Sequence, residues 1–216
     1  MSTLTGRLLR INLNDASYGE EEIPRRHITR FISARGMGVK YLYDELAPVT
    51  DPLSAENKLL LLVGALGDAG LQGFSKWVVM SKSPLTGTIF RSITGGNFGV
   101  WMKHAGYDLM IVEGKAAAPI YIHIDPGGVH FLDAADLWGL NYRQLQAQLR
   151  ENHGERTESA CIGPAGEKLA RYAVIHSGER TASRGGMGTV MGSKNLKAVS
   201  INVPIKKPSP FDPATF

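Results

Sequence analysis

The residues best suited to ligand chemistry lie in one short stretch near the end of the chain. Arg180 and Arg184 stand four residues apart and are followed by Gly185, Gly186 and Gly188. Guanidinium groups bind phosphate through paired hydrogen bonds, and glycine lets a backbone approach a ligand closely. A helix that starts just after Gly186 would add free N–H groups that favour an anion. The stretch predicts a cradle for a flat, phosphate-bearing ligand. The alternative is a glycine turn with two solvated arginines.

A glycine pair followed by a short helix and an apolar strand occurs three times in the chain. The three units begin at residues 36, 96 and 186 and precede the apolar runs 59–63, 109–112 and 198–203. Their intervals are unequal, so the chain is not a solenoid. An internal duplication would bring similar glycine turns together around one ligand, and Lys76 would add a further positive charge.

Composition and motifs exclude several classes of function. The 216 residues are 43% hydrophobic and 20% charged, which is typical of one globular domain or two closely joined ones. A net charge of +4 suits an anionic ligand without requiring one. Arg184-Gly185-Gly186 occurs once, so it does not form an RNA-binding arginine–glycine tract. The P-loop and dinucleotide fingerprints are absent. No signal segment or long apolar run is present, and we expect a soluble cytoplasmic protein without membrane or nucleic-acid partners.

Cysteine and histidine give little support for metal or nucleophilic chemistry. The single cysteine, Cys161, cannot form a disulfide or a thiolate metal site within this chain, and we expect it in the core. His123 and His130 flank a predicted hairpin turn and are interpreted as exposed pair partners. His104 and His176 are interpreted as polar groups that have found hydrogen-bond partners.

Strands outnumber helices in the predicted secondary structure. The strands are expected at residues 6–13, 18–23, 59–63, 76–80, 88–93, 107–113, 120–124, 129–132, 159–162, 171–175 and 198–203. Helices are expected within 27–46, as two pieces bent at Gly36 and Gly38, from about 98 to 104, and over 141–150 with Asn141 as cap. Frequent hairpins favour an α+β fold with duplicated antiparallel sheets over a doubly wound parallel sheet. Residues 1–203 are expected to form the domain, and 204–216 a linker towards missing downstream domains.

Eight short motifs carry a family resemblance through their order along the chain. They are Ala34-Arg35-Gly36, Asp51-Pro52-Leu53-Ser54, Lys82-Ser83-Pro84-Leu85-Thr86-Gly87, Ala105-Gly106-Tyr107-Asp108, Glu113-Gly114-Lys115-Ala116, Leu137-Trp138-Gly139, Ile162-Gly163-Pro164-Ala165-Gly166-Glu167 and Met191-Gly192-Ser193-Lys194-Asn195-Leu196-Lys197-Ala198. This series resembles the N-terminal domain of the tungsten-dependent aldehyde ferredoxin oxidoreductases. The resemblance extends from about residue 6 to residue 203.

The resemblance implies that the domain carries one face of a tungsten (or molybdenum) bis-pterin. The pterin dithiolenes would supply the metal's sulfur ligands, and magnesium would bridge the pterin phosphates. No residue of the chain is expected to be catalytic or to bind the metal directly. The resemblance places the cofactor contacts on Lys76, Ile93, Gly95, Gly96, Arg180, Thr181, Ala182, Ser183, Arg184, Gly185 and Gly186.

The implied reaction is oxidation of an aldehyde to a carboxylic acid, with electrons passing through a 4Fe–4S cluster to ferredoxin. The cluster cysteines and the substrate channel of the family lie in later domains. We therefore expect this chain to be inactive alone and to need downstream domains or a cysteine-bearing subunit. Lys76 and Ile93 stand where the family commonly has arginine and asparagine. An alternative function is a non-catalytic pterin-binding or assembly protein with the same fold, and a third is a purely structural interaction domain.

Overall fold

The protein is a layered α+β structure, described here from a computed structural model over residues 4–206. The first half consists of β1 (Arg7–Asn12), β2 (Ser17–Glu22), α1 (Arg25–Phe31), α2 (Arg35–Glu45), β3 (Leu59–Val63), β4 (Trp77–Lys82), β5 (Ile89–Thr94), α3 (Phe98–Ala105) and β6 (Leu109–Glu113). The second half consists of β7 (Ile120–Asp125), β8 (Gly128–Asp133), a 3₁₀ turn (Ala135–Leu137), α4 (Tyr142–His153), β9 (Glu158–Cys161), α5 (Pro164–Glu167), β10 (Ile175–Ser177), β11 (Arg180–Ala182), α6 (Met187–Ser193) and β12 (Leu196–Ile201).

The strands form two six-stranded sheets that share one topology. The first sheet has the order β2-β1-β6-β3-β4-β5, and the second has β8-β7-β12-β9-β10-β11. Adding six to each strand number in the order of the first sheet gives the strand order of the second sheet. Each sheet has one parallel pair, β1 with β6 and β7 with β12, and its other pairs are antiparallel. The expected α+β class with two sheets and short helices is confirmed, although the sheets are mixed rather than wholly antiparallel.

The central layer between the sheets is filled by α3 and α6. Side chains of both sheets and both helices belong to one apolar cluster, in which the rings of Trp77 and Phe98 lie 4.9 Å apart. Each helix contacts strands of both sheets. All of α6 is buried. A β-carbon on Gly192 would lie 2.0 Å from the Gly166 carbonyl oxygen, so only glycine permits this packing.

Two further helices cover the outer faces of the sheets. On the first sheet, Met37 and Leu42 of α2 pack on alternate residues of β3, whose remaining residues face the central layer. A strand that is buried on both faces explains the unbroken apolar run 59–63. On the second sheet, Leu145 and Leu149 of α4 form the corresponding outer cluster. Asn141 caps α4, as the sequence predicted, and the structure adds a reciprocal bond from the backbone of Asn141 to the side chain of Gln144.

Several local predictions were wrong. The strand expected at 171–175 is β10, which begins only at Ile175, and β11 was not predicted because a three-residue edge strand has too little periodicity to be read. The bend between α1 and α2 lies at Ile32–Ala34 rather than at the glycines, which belong to α2. A β-carbon on Gly38 would lie 2.3 Å from the sulfur of Met80, so this glycine serves close packing.

The histidine predictions also need correction. His123 is buried rather than exposed, and its Nδ1 lies 2.9 Å from the Ser200 hydroxyl. The Nδ1 atoms of His104 and His176 are buried without a hydrogen-bond partner among residues 4–206, so these groups are not satisfied as expected. Of the predicted linker, residues 204–206 have no regular structure, and the rest lies outside the described residues. Within residues 4–206, every helix is too short or too polar to cross a bilayer.

Candidate functional site

The candidate site lies where the edge strands of the two sheets meet, and we call this contact between β5 and β11 the seam. The Ser83 hydroxyl donates a hydrogen bond of 2.7 Å to the carbonyl oxygen of Gly185. The backbone N–H of Arg184 donates a bond of 3.1 Å to the Ser92 hydroxyl. These bonds join residues about a hundred positions apart. The seam therefore brings the predicted contacts of the first half beside those of the second.

The first glycine turn, Gly95-Gly96, follows β5 directly. The indole N–H of Trp77 donates a bond of 3.0 Å to the Gly95 carbonyl oxygen, which fixes the turn on the core. Gly96 has φ +89°, and a β-carbon there would lie 2.5 Å from the Ser177 hydroxyl oxygen. A β-carbon on Gly95 would be 3.7 Å from the side chain of Arg180. Glycine is needed here for the contact between the two halves.

The second glycine turn, Gly185-Gly186, packs against protein rather than facing outwards. Both residues have positive φ and are buried, and β-carbons on them would collide with Phe90 and with the Arg171 carbonyl oxygen. The Gly188 N–H at the start of α6 donates to the carbonyl oxygen of Ala173. The expected anion site at this helix terminus is therefore wrong, because the terminus is enclosed by the α5–β10 segment.

Four cations surround the seam without a neutralising partner. Lys76, Arg180 and Arg184 are exposed, as is Arg91 on β5. None of them forms an ion pair with the residues that the structure describes. Sequence reasoning missed Arg91, although the two-residue period of a strand places it on the same face as Ile93. Unpaired positive charges on one surface favour binding of an anion.

The other predicted contacts divide into outward-facing and inward-facing residues. Ile93 is 45% exposed and offers an apolar surface beside the cations. Ser183 is exposed and Thr181 is half-buried, so both reach the surface. The side chain of Ala182 is fully buried in the central cluster, and this residue can offer a ligand only its backbone.

The described residues offer no metal site of their own. No group of three or more His, Cys, Asp or Glu side chains is placed to hold a metal ion between residues 4 and 206. Cys161 is buried in the outer cluster of the second sheet, as predicted, and burial raises the pKa of its thiol to about 11. A metal at the seam would need its ligands from another molecule.

Comparison with solved structures defines the class of protein through its fold. The active-site complex BamBC of benzoyl coenzyme A reductase, solved with 1,5-dienoyl-CoA, contains a chain that matches with a TM-score of 0.91 and 33% sequence identity. The match covers 93% of this chain and 31% of that chain. The two-sheet fold is therefore one found in a large, multi-subunit oxidoreductase.

The chain belongs to the aldehyde ferredoxin oxidoreductase family, since the family model for its N-terminal domain matches residues 8–203. A tungsten-containing aldehyde ferredoxin oxidoreductase of Pyrococcus horikoshii is 42% identical over 91% of this chain and 33% of its own length. The WOR-like subunit of an aliphatic sulfonate oxidoreductase of Pyrococcus furiosus is 35% identical over 92% of this chain and 34% of its own length. The chain thus spans about a third of these relatives, which are larger enzymes or enzyme subunits.

Proposed function

We propose that this chain holds one face of a tungsten (or molybdenum) bis-pterin in an aldehyde-oxidising enzyme. The observation that carries the proposal is the seam, where the two halves meet beside four exposed cations that form no ion pair among residues 4–206. The name of the tungsten-containing relatives supports the choice of metal. Phosphate groups match the positive charge of this surface.

The residues at the seam fit such a group. Arg180, Arg184 and Arg91 present guanidinium forks that can each take two phosphate oxygens. The Ser177 hydroxyl lies behind Gly96 and is buried without a hydrogen-bond partner among the described residues. An unsatisfied buried hydroxyl next to a glycine turn is more readily explained by a polar ligand or water than by packing. Ile93 fits the apolar face of a ring rather than a phosphate or magnesium ion.

The chain's own residues would bind the cofactor and fix its orientation. The cofactor, when bound, supplies the two-electron redox chemistry and the sulfur ligands of its metal. Arg180 and Arg184 would neutralise phosphate charge, and a magnesium ion would share these phosphates. Ile93 would exclude water from one side of the ring. Because α6 is buried along its whole length, the turn before it, which carries Arg184, would hold its position without reordering on binding.

The remaining parts of the reaction would come from outside this chain. A four-cysteine cluster cannot be built from Cys161 alone. Downstream domains or a second subunit would supply the 4Fe–4S cluster, the channel for an aldehyde and the route to ferredoxin. We expect the isolated chain to show no aldehyde-dependent dye reduction.

The proposal is tested in the complete enzyme assembly by replacing Arg180→Ala together with Arg184→Ala. Loss of two charge-assisted contacts should weaken retention of the cofactor by about 3 kcal/mol, roughly a hundredfold. Retention is measured as bound tungsten and released pterin per protein after dialysis. The matched control is Arg156→Ala, which replaces an exposed arginine of the α4–β9 loop. This variant should retain both tungsten and pterin.

Three results would decide between the candidate functions. Equal retention of tungsten and pterin in the double variant and the control would mean that both arginines are merely solvated surface residues. That result would overturn the proposal. Retention of pterin without metal in the wild-type assembly would favour the non-catalytic pterin-binding function. Stoichiometric metal and pterin, lost together in the double variant, would support the enzyme.

A further inference from the structure

The outward faces of α1 and α2 form a basic surface that lies apart from the seam residues. The exposed positions of α1 are Arg25, Arg26, Thr29 and Arg30, and Arg35 is the exposed first residue of α2. Helical geometry places the first four on one side of α1, opposite the side chains that pack on α2. The four arginines have no ion-pair partner in residues 4–206. Their charge equals the net charge of the whole chain, +4.

An apolar stripe runs beside these arginines. Ile32, Val39 and Tyr43 are 71%, 45% and 79% exposed. Arg35, Val39 and Tyr43 follow one another at intervals of four residues, which aligns them along one side of α2. Ile32 precedes the helix in the bend, with φ +67°. A β-branched residue rarely adopts this conformation, and such outliers concentrate at functional positions.

A groove continues the stripe beyond Tyr43 towards the edge of the first sheet. Its volume is about 470 Å³. The lining residues are Leu42, Tyr43, Leu46, Ala47, Pro48, Lys82, Gly87, Thr88 and Ile89. Arginines, stripe and groove together form one continuous face, which we call the α1–α2 face.

We propose that the α1–α2 face docks a separately folded protein whose contact surface is acidic with an apolar centre. Tyrosine and arginine are the residues enriched at the energetic centres of protein interfaces, whereas lysine is depleted. Four guanidinium groups without an ion-pair partner among residues 4–206 suit carboxylates, and their field would steer an acidic partner during encounter. Permanent interfaces between parts of one assembly are more apolar than transient ones. The arginine content therefore favours an independent partner over a domain of the same polypeptide.

Other classes of macromolecule fit this face less well. Nucleic-acid binding relies on phosphate contacts and would leave Ile32 and Val39 without a role. A membrane-surface helix buries a broad apolar side, but α1 has seven residues and turns its arginines outwards. A second copy of this chain would bring two positively charged faces together.

The test is site-specific photocrosslinking in the source cells, with p-benzoylphenylalanine in place of Tyr43 in the native polypeptide. We expect a crosslink to another protein, at a peptide in which Asp and Glu outnumber Lys and Arg. Replacing Arg26→Glu with Arg30→Glu in the same background should lower the crosslink yield at least tenfold, because it reverses the charge. The matched pair Arg26→Lys with Arg30→Lys should retain most of the yield. Thermal unfolding of each variant checks that these exposed substitutions leave the fold intact.

The same experiment can overturn the proposal in several ways. Tyr172 of the α5–β10 loop is 74% exposed and serves as a control site for the crosslinker. A yield at position 43 no higher than at position 172, or one unaffected by charge reversal, would contradict docking at the α1–α2 face. Crosslinks to lipid, nucleic acid, a basic peptide or the protein's own polypeptide would each replace the proposed partner with another.

Discussion

The same structural junction occurs once in each half, and the two copies use opposite chemistry. In the first half, the last residue of α2, Glu45, lies over Arg10 of β1. In the second half, the last residue of α4, His153, lies over His123 of β7. Both strand residues occupy the fourth position of the first strand in their sheet. The first junction is ionic, and the second is a stack of aromatic rings.

The ionic junction is a network of partly buried charges. Arg10 donates to both carboxylate oxygens of Glu45, at 2.9 and 3.1 Å, and to Glu21 at 2.6 Å. Lys58 lies 3.2 Å from Glu45 and 2.5 Å from Glu113. Burial alone would raise the pKa of Glu45, but the hydrogen bonds and charge of Arg10 and Lys58 outweigh it and leave that pKa below its usual value.

The stacked junction keeps its imidazoles neutral. The rings of His123 and His153 are 3.6 Å apart and nearly parallel, and the Tyr121 hydroxyl lies 3.0 Å from His153 Nε2. Burial, followed by the neighbouring His153, lowers the pKa of His123 to about 4, against the opposing effect of Asp125. Duplicated topology therefore fixes where a helix ends over a strand but leaves the chemistry of the contact free to diverge.

The largest expected loss of stability comes from breaking the ionic junction. Arg10→Met should lower the free energy of unfolding by about 3 kcal/mol, because it leaves Glu45 and Glu113 partly buried with Lys58 as their remaining cation. Urea denaturation at pH 7 measures the change. A loss of less than 0.5 kcal/mol would mean that solvent, not Arg10, stabilises these carboxylates.

The second effect separates the two junctions by pH. The folded-state pKa of His123 lies below its unfolded value, so the unfolded state binds more protons between pH 6.5 and pH 4. Stability from this residue is therefore present above pH 6.5 and is lost as pH falls towards 4. We expect the stability lost to be about 2 kcal/mol, a value discounted because an open pocket lined by His123, Asp125 and His153 lies beside the ring. His123→Phe should flatten the pH profile of urea midpoints in this window.

The ionic junction should respond only at lower pH. The folded-state pKa of Glu45 is depressed, so its contribution is present above its unfolded pKa and is lost as pH falls through the folded value. Hydrogen exchange of backbone amides at pH 5 should therefore show faster opening around β7 than around β1. Equal protection of both strands, relative to pH 7, would contradict this order.

The smallest effect provides the reference for both junctions. Arg143 and Glu179 form an ion pair at 3.3 Å, but both side chains are more than 70% exposed. Solvent screens such a pair, and Arg143→Met should leave the urea midpoint within error of the wild type. A clear drop in the urea midpoint would show that burial does not explain the difference between exposed ion pairs and the network of Arg10.

Local patterns in the sequence predicted much of the fold, because they report on short-range physics. The apolar run 59–63, the turn between β7 and β8 and the cap at Asn141 each follow from neighbouring residues. The family resemblance added the grouping of seam residues. The sequence could not show that Gly186 and Gly188 face backbone from residues 171 and 174, because that contact depends on tertiary packing. The strand period places Arg91 on the same face as Ile93, but only the contact of β5 with β11 shows that this face borders the seam.

The position of α3 and α6 between the two sheets has a consequence during synthesis. The inner face of α3 packs on β9 and β12, which the ribosome makes 50 to 100 residues later. At typical translation rates this interval lasts on the order of ten seconds. Through that time the first sheet has no counterpart to cover its inner face. An apolar face left uncovered during synthesis is the kind of surface that chaperones protect, and here it is covered only once β9 and β12 have been made.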